Sequence, residues 1–462
     1  MKTSSTYRNM LIIALMCVIL TTAAFAMEAK GWLGDGDSKY HEATPPVNWS
    51  EDQNIVWKAD TADWGNATPV IVGDKIFITE EKDTLVCLSK KDGSVLWKKS
   101  NPSEELLTQE QIDKKKRDQA RRVPLEKMLG TLEGEELKLR GQHRKDRDNQ
   151  ELKDKMNTVR EKMAELRKEI AKFDEFADPK THSTNGYASP TPVSDGEYVY
   201  AHFATGIGAC YDLEGNRQWM KMVEKPTHNW GQSSSPVLAG GKVIFTINKM
   251  FALDPKTGEQ IWEAPIKHGW GTPMILPYGD TSIAVTCQGD VVQVSDGKVL
   301  ESGLFSLKWG SAGRSGRIIY AADMGNAWAY EMPDKSADEF KAKKLWQTKI
   351  MKDRVYATPL EHDGILYVVT KAGVLMALDA KTGEEIYKEK LPFGRGTTYP
   401  SPILAGDKLY FSHDDGTTVV VKTGRQFEKI TENKLPDFRA TPVAEGDRLY
   451  IRGLKTMYCI GG

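Results

Sequence analysis

Eight aromatic side chains recur two or more residues ahead of a Ser/Thr position along this chain: Trp64, Tyr187, Trp230, Trp270, Trp309, Tyr356, Tyr399 and Phe438. Polar and cationic groups accompany them, namely His228, Asn229, His268, Lys308, Arg354, Arg395 and Arg439. Aromatic faces beside convergent cations suit a planar anionic ligand. Aromatics at equivalent positions of a repeat also serve as scaffold, so two readings stand: ligand contact and structural packing. His228 and His268 lack the short spacing and the neighbouring carboxylate of a metal-ligand motif, and no metal site is expected. Neither a Gly-x-Ser-x-Gly nor a His-Glu-x2-His signature occurs, so no hydrolase chemistry is assigned.

The elements that must position these side chains come from a repeat. Its openings are Thr68-Pro69-Val70, Thr191-Pro192-Val193, Ser235-Pro236-Val237, Thr272-Pro273-Met274, Thr358-Pro359-Leu360, Ser401-Pro402-Ile403 and Thr441-Pro442-Val443, with a proline-free unit at Ser311 to Gly316. Apart from one long gap, the interval is about 40 residues, the length of a propeller blade. Within a unit, turns such as Gly73-Asp74 and Gly406-Asp407 precede β-branched and aromatic runs, and Asp254-Pro255-Lys256-Thr257-Gly258 precedes a fourth strand. Four strands per unit make one blade. Trp97, Trp219, Trp262, Trp346 and Tyr387 fill one late slot and are expected to pack between blades. The last unit ends after its third strand, while Ile55-Val56-Trp57-Lys58 has the form of a fourth strand without predecessors. The expected fold is therefore all-β, an eight-bladed β-propeller closed by its N- and C-terminal strands, which removes the free edges of an open sheet.

The pattern best preserved at residues 235–262 and 358–387 resembles the pyrroloquinoline-quinone-like (PQQ-like) repeat. The resemblance spans about residues 54–100 and 183–462 and implies the superfamily that holds the BamB-type outer-membrane-assembly propellers and the quinoprotein alcohol dehydrogenases. It is specific for fold and open as to function. A BamB-like relationship implies a non-catalytic binding or scaffold protein of the cell envelope with a protein or envelope ligand as partner. A dehydrogenase relationship implies PQQ with Ca²⁺ as cofactor, Glu, Asn and Asp ligands, an Asp base and often a vicinal disulfide. This chain has no adjacent cysteines, and its acidic residues match none of those motifs. It also lacks the lipid-bearing cysteine of the BamB type.

The long gap holds a helical insertion, residues 101–182, rich in Lys, Arg, Glu and Gln. Leu152, Met156, Val159, Met163, Leu166, Ile170 and Phe173 follow a heptad seam. A helix from Asn149 to Phe173 would be about 37 Å long. The first half, with Leu106, Ile112, Leu125, Met128, Leu129 and Leu132, is the expected antiparallel mate in a coiled-coil hairpin. Pro124 is expected to break or start a helix. The alternative is a seam that docks another protein or a second copy of the chain, giving an oligomer.

Residues 1–26 have the form of a secretory signal peptide: Lys2 and Arg8, the apolar run Leu11 to Leu20, then Ala24-Phe25-Ala26 with cleavage expected after Ala26. The run is too short to span a bilayer, which takes about 20 residues. A periplasmic or secreted protein, not transmembrane after cleavage, is the consequence. Residues 27–53 then form an N-terminal extension, 54–100 the closing strand with blade 1, and 183–462 blades 2 to 8. The remaining cysteines, Cys87, Cys210, Cys287 and Cys459, are too widely spaced for a redox or zinc motif and are expected as buried apolar groups. Lys+Arg total 63 against 64 Asp+Glu, so no net field favours nucleic acid.

Overall fold

A computed structural model describes residues 30–334 and 339–462, so the segment expected to be a signal peptide lies outside the described residues. Eight blades of four antiparallel strands, one of them extended by a fifth, parallel strand, form an eight-bladed β-propeller. Blade 3 illustrates the unit: strands Val237–Ala239, Lys242–Thr246, Met250–Leu253 and Gln260–Ala264 pair in sequence order, with Ile244 opposite both Val237 and Ala252. The two middle strands are almost wholly buried, whereas the fourth alternates. Continuous apolar runs result where neighbouring blades cover both faces of a strand, and period-two patterning survives only at the rim.

The late-slot tryptophans tie five of the blades to the next. Trp57, Trp97, Trp219, Trp262 and Trp346 donate their indole N–H to the carbonyls of Lys90, Leu213, Pro255, Val294 and Ala380, at 2.8–3.1 Å. Each ring lies over a turn glycine of that next blade. A Cβ on Gly258, whose φ is +69°, would sit 2.7 Å from the Trp219 ring, so both the backbone and the close approach require glycine. Cys87, Cys210 and Cys459 face Trp97, Trp219 and Trp57 across the strand pair, buried and free of disulfides.

Ring closure follows the sequence expectation. Strand Ile55–Asp60 pairs antiparallel with Thr456–Gly461, supplying the outer strand of blade 8. The preceding segment runs along the ends of the innermost strands remote from their Ser/Thr-Pro openings. Lys30 bridges to Ser194 of blade 2, the Asp35 carbonyl accepts from Arg314 of blade 5 at 3.2 Å, and Lys39–Tyr40 adds in parallel to Ile403–Ala405 of blade 7. The N-terminal extension is thus a strap beneath the channel.

The insertion is a helical hairpin. Helix α1, Gln109–Lys145, is capped by Thr108 and Gln111, and helix α2, Gln150–Ala171, by Asn149. Pro124 does not break α1, contrary to expectation. It lies on the exposed side, so the Ala120 carbonyl that loses its partner faces water. At 1.5 Å per residue α1 is about 55 Å long. Met156, Val159, Met163 and Ile170 are buried, and the last three, with Leu166, pack against Leu125, Leu129, Leu132 and Leu139 of α1. The seam is therefore covered from within the chain rather than left open for a partner. Met128 and Leu106 lie off it and are exposed, Leu152 is half-buried at the start of α2, and Phe173 beyond α2 takes the Arg121 guanidinium 5.9 Å above its ring. Charged pairs hold the base of the arm: Asp178 joins it to Lys82 of blade 1 and also pairs with Lys115 of α1, and Arg122 pairs with Asp174 within the arm.

Candidate functional site at the channel mouth

Repeat spacing decides which aromatics reach the channel. Trp270, Trp309, Tyr356 and Tyr399 each lie two residues before the opening Ser/Thr, and all four line a mouth cavity of about 390 Å³. Extended backbone alternates faces, so an offset of two puts the ring on the hydroxyl's side. Trp230, on a longer loop, also borders the cavity.

The other three aromatics require correction. Phe438, at an odd offset of three, is fully buried among Leu435, Tyr410 and Leu449 between blades 7 and 8. Tyr187 donates to the Pro179 carbonyl at 2.8 Å, and the Lys82 ammonium lies 5.6 Å from its ring centre; both contacts are at the foot of the helical arm. Trp64 packs on Gly186 beside it.

The indoles at the mouth lean on one another. Trp309 stacks on Trp230 and on Trp270 with centroids 4.7 Å apart in both cases, and Tyr356 and Tyr399 continue the row at 5.1 Å. His228 and His268 stack at 5.3 Å and present themselves edge-on to Trp270 at 4.6 and 4.8 Å. They therefore brace that indole and do not line the cavity. Burial, with His228 close by, holds the His268 imidazole below its ordinary pKa, which keeps the pair compatible with stacking. Among the described residues no cluster of three or more His, Cys, Asp or Glu is arranged to hold a metal.

Three cations surround the cavity: Arg354, Arg439 and Lys371. Arg354 lies 5.5 Å over the Trp309 ring and donates to the Tyr356 hydroxyl at 3.1 Å. Arg395 instead borders a separate cleft with Asp414, Asp415 and Asp437. Asp and Glu are absent from the residues lining the mouth cavity. The nearby carboxylates cap the rim loops: Asp323 accepts from the Val355 and Lys308 amides, and Asp353 from those of Arg354 and Ala372.

Deeper in, the opening hydroxyls form a girdle. The amides of Thr68, Thr191, Ser235, Thr358 and Ser401 donate to the hydroxyl oxygens of Thr191, Ser235, Thr272, Ser401 and Thr441, each on the next blade, at 2.9–3.0 Å. The Ser/Thr-Pro motif thus joins neighbouring blades at the channel wall.

Two segments outside the repeat complete the site. Trp32 of the N-terminal strap lies at the floor, between the mouth cavity and a second one of about 260 Å³ beneath. The leg descending from α2 supplies the lip. Asn66 donates to the Thr184 carbonyl at 2.7 Å, Arg439 donates to the same oxygen at 3.2 Å, and Asn185 donates to the Trp230 carbonyl at 2.9 Å. Trp32, His182, Lys371 and the girdle were not singled out from the sequence. Only the girdle left a signal there, in the invariant Ser/Thr of each blade opening.

The pocket does not fit PQQ held with Ca²⁺ in the dehydrogenase manner: that cation takes about six to eight oxygen ligands, typically including carboxylates, and the lining offers no carboxylate and only the side-chain amides of Asn66 and Asn185.

A family model described as outer membrane protein assembly factor BamB matches residues 48–114, 180–300 and 306–461. No curated protein sequence matches the chain. Among solved structures, BamB from Moraxella catarrhalis is similar with a TM-score of 0.55 at 10% identity, covering 88% of this chain and 99% of that one. A europium-containing methanol dehydrogenase gives 0.53 at 11%, covering 90% and 89%. A quinohemoprotein alcohol dehydrogenase from Pseudomonas putida gives 0.54 at 12%, covering 92% and 80%. At these identities the likeness is one of fold.

Proposed function

Because the chain belongs to the propeller family described by outer membrane protein assembly factor BamB, we propose that it is a non-catalytic binding protein of the cell envelope. In this reading it is exported to the periplasm or beyond, and it presents the channel mouth and the helical arm on one face to a protein or envelope ligand. The carrying observation is the mouth cavity itself, with stacked indoles, three cations and no carboxylate. Such a lining suits an anionic ligand. Family membership supports an envelope location. Among the described residues no helix is long and apolar enough to cross a membrane.

The dehydrogenase relatives keep a second reading in view, a PQQ-dependent oxidoreductase. Mixing the purified protein with PQQ and Ca²⁺ and recording quinone absorbance after desalting separates the two. The binding-protein reading expects no retained quinone, and one equivalent per chain would overturn it. Replacing residues 109–171 by a short Gly/Ser link and repeating capture from an envelope extract tests the arm. A shortened set of captured partners is expected, and an identical set would remove the arm from the binding surface.

A further inference from the structure

We propose that the mouth cavity is a blind socket for an acidic saccharide, an oxygen-rich ring carrying a carboxylate. The proposal deepens the reading of the mouth as the binding face and rests on it. The first support is hydrogen-bond accounting. Thr191, Ser235, Thr272, Ser401 and Thr441 are all buried, and each hydroxyl oxygen accepts an amide proton from the preceding blade. None of these hydroxyls donates in any hydrogen bond among the described residues, and all five line the cavity. Five buried O–H donors around one wall call for a ligand rich in acceptor oxygens, since unmatched buried polar groups are costly.

Charge sets the second requirement. Arg354, Lys371 and Arg439 converge on the cavity without a carboxylate among the lining residues. Arg439 and Arg354 each spend one N–H, on the Thr184 carbonyl and the Tyr356 hydroxyl, and keep others for a ligand, whereas the Lys371 ammonium makes no hydrogen bond or ion pair among the described residues and is the cation most open to a ligand anion. A ligand carboxylate here gains charge-assisted hydrogen bonds in a partly enclosed site.

The aromatic geometry separates a saccharide from a flat polycyclic acid. Trp230, Trp309 and Trp270 already fill the spaces between one another at 4.7 Å, leaving no open slot for intercalation. What remains is an outer indole face, with Trp230 37% exposed, suited to the C–H face of one pyranose. The cavity of about 390 Å³ falls at the small end of ligand pockets. Trp32 stands between this cavity and the one beneath it, so the proposed ligand enters from the mouth and presents the end of a chain rather than its middle.

Intrinsic tryptophan fluorescence of the full mature protein provides the test, with digalacturonate, neutral digalactose and inorganic sulfate as probes. A saturable response to digalacturonate is expected, weakened by added salt and by about tenfold or more in Lys371→Gln, which removes one charge-assisted hydrogen bond. Digalactose and sulfate are each expected to bind at least about tenfold more weakly, because each supplies half of the recognition. Equal binding of digalactose, equal binding of sulfate, or no saturable response to digalacturonate would overturn the proposal. So would undiminished binding by a Lys371→Gln variant with unchanged thermal stability. Failure here with quinone still unbound sinks the saccharide class alone, whereas retained quinone sinks the binding-protein reading.

Discussion

Gly258 and Gly241 provide a matched pair for measuring what the interblade tryptophans contribute. Both have φ of +69°, yet a Cβ on Gly241 would meet nothing within 4 Å, whereas one on Gly258 would sit 2.7 Å from the Trp219 ring. Gly241→Ala therefore bears only the left-handed backbone penalty, about 1–2 kcal/mol. Gly258→Ala bears that penalty and must also displace the indole. It thereby weakens the 2.8 Å bond from Trp219 Nε1 to the Pro255 carbonyl, worth about 1 kcal/mol, and adds overpacking of about 1–3 kcal/mol. The expected destabilisation is about 3–6 kcal/mol, some 2–4 kcal/mol beyond its partner. Equilibrium denaturant unfolding followed by near-ultraviolet circular dichroism measures both variants. Equal losses for the two would refute the claim that Trp219 holds blade 2 against blade 3.

Further outcomes follow from other parts of the fold. His202 is wholly buried, and desolvation holds its imidazole down to about 4. The unfolded chain binds the extra proton, so stability is complete above about pH 6.5 and falls as pH drops from there toward 4. The loss approaches roughly 3 kcal/mol, and a His202→Leu variant unfolded at pH 7 and pH 5 should lack this part of the acid sensitivity. A double substitution, Val159→Asp with Met163→Asp, buries two carboxylates in the arm's seam. Far-ultraviolet circular dichroism should lose helical signal while the near-ultraviolet spectrum of the propeller persists, and a retained helical signal would mean that the seam does not hold the hairpin. Thr191→Val removes the acceptor of the Thr68 amide at 3.0 Å. It should cost about 1–3 kcal/mol in denaturant unfolding, where a surface threonine substitution costs less than 0.5 kcal/mol.

The propeller was legible because its signals are local and repeated. Most blades carry the same Ser/Thr-Pro opening, the same turns and a late aromatic, and the orphan strand at Ile55 matched the strand missing after Cys459. The site was only partly legible. Aromatics at an offset of two from the opening hydroxyl reached the channel by strand alternation, while Phe438 at three turned into the core. Trp64 and Tyr187 were drawn to the foot of the arm, whose contacts are set by tertiary packing that no local pattern encodes. Trp32 lies in a segment without periodicity, and its place under the channel depends on pairing with strands more than 150 residues away. Pro124 misled because the rule against proline in helices assumes that the orphaned carbonyl has no other partner, and here it meets solvent.

The most direct test of the mouth as the binding face is charge reversal within it. Capture from envelope extract should be compared between the native protein and an Arg354→Glu, Lys371→Glu variant of matched thermal stability, with the arm intact in both. The account predicts that the variant loses most of the bound material, because two cations of an otherwise carboxylate-free cavity become anions. Capture of the same material in the same amount would contradict it.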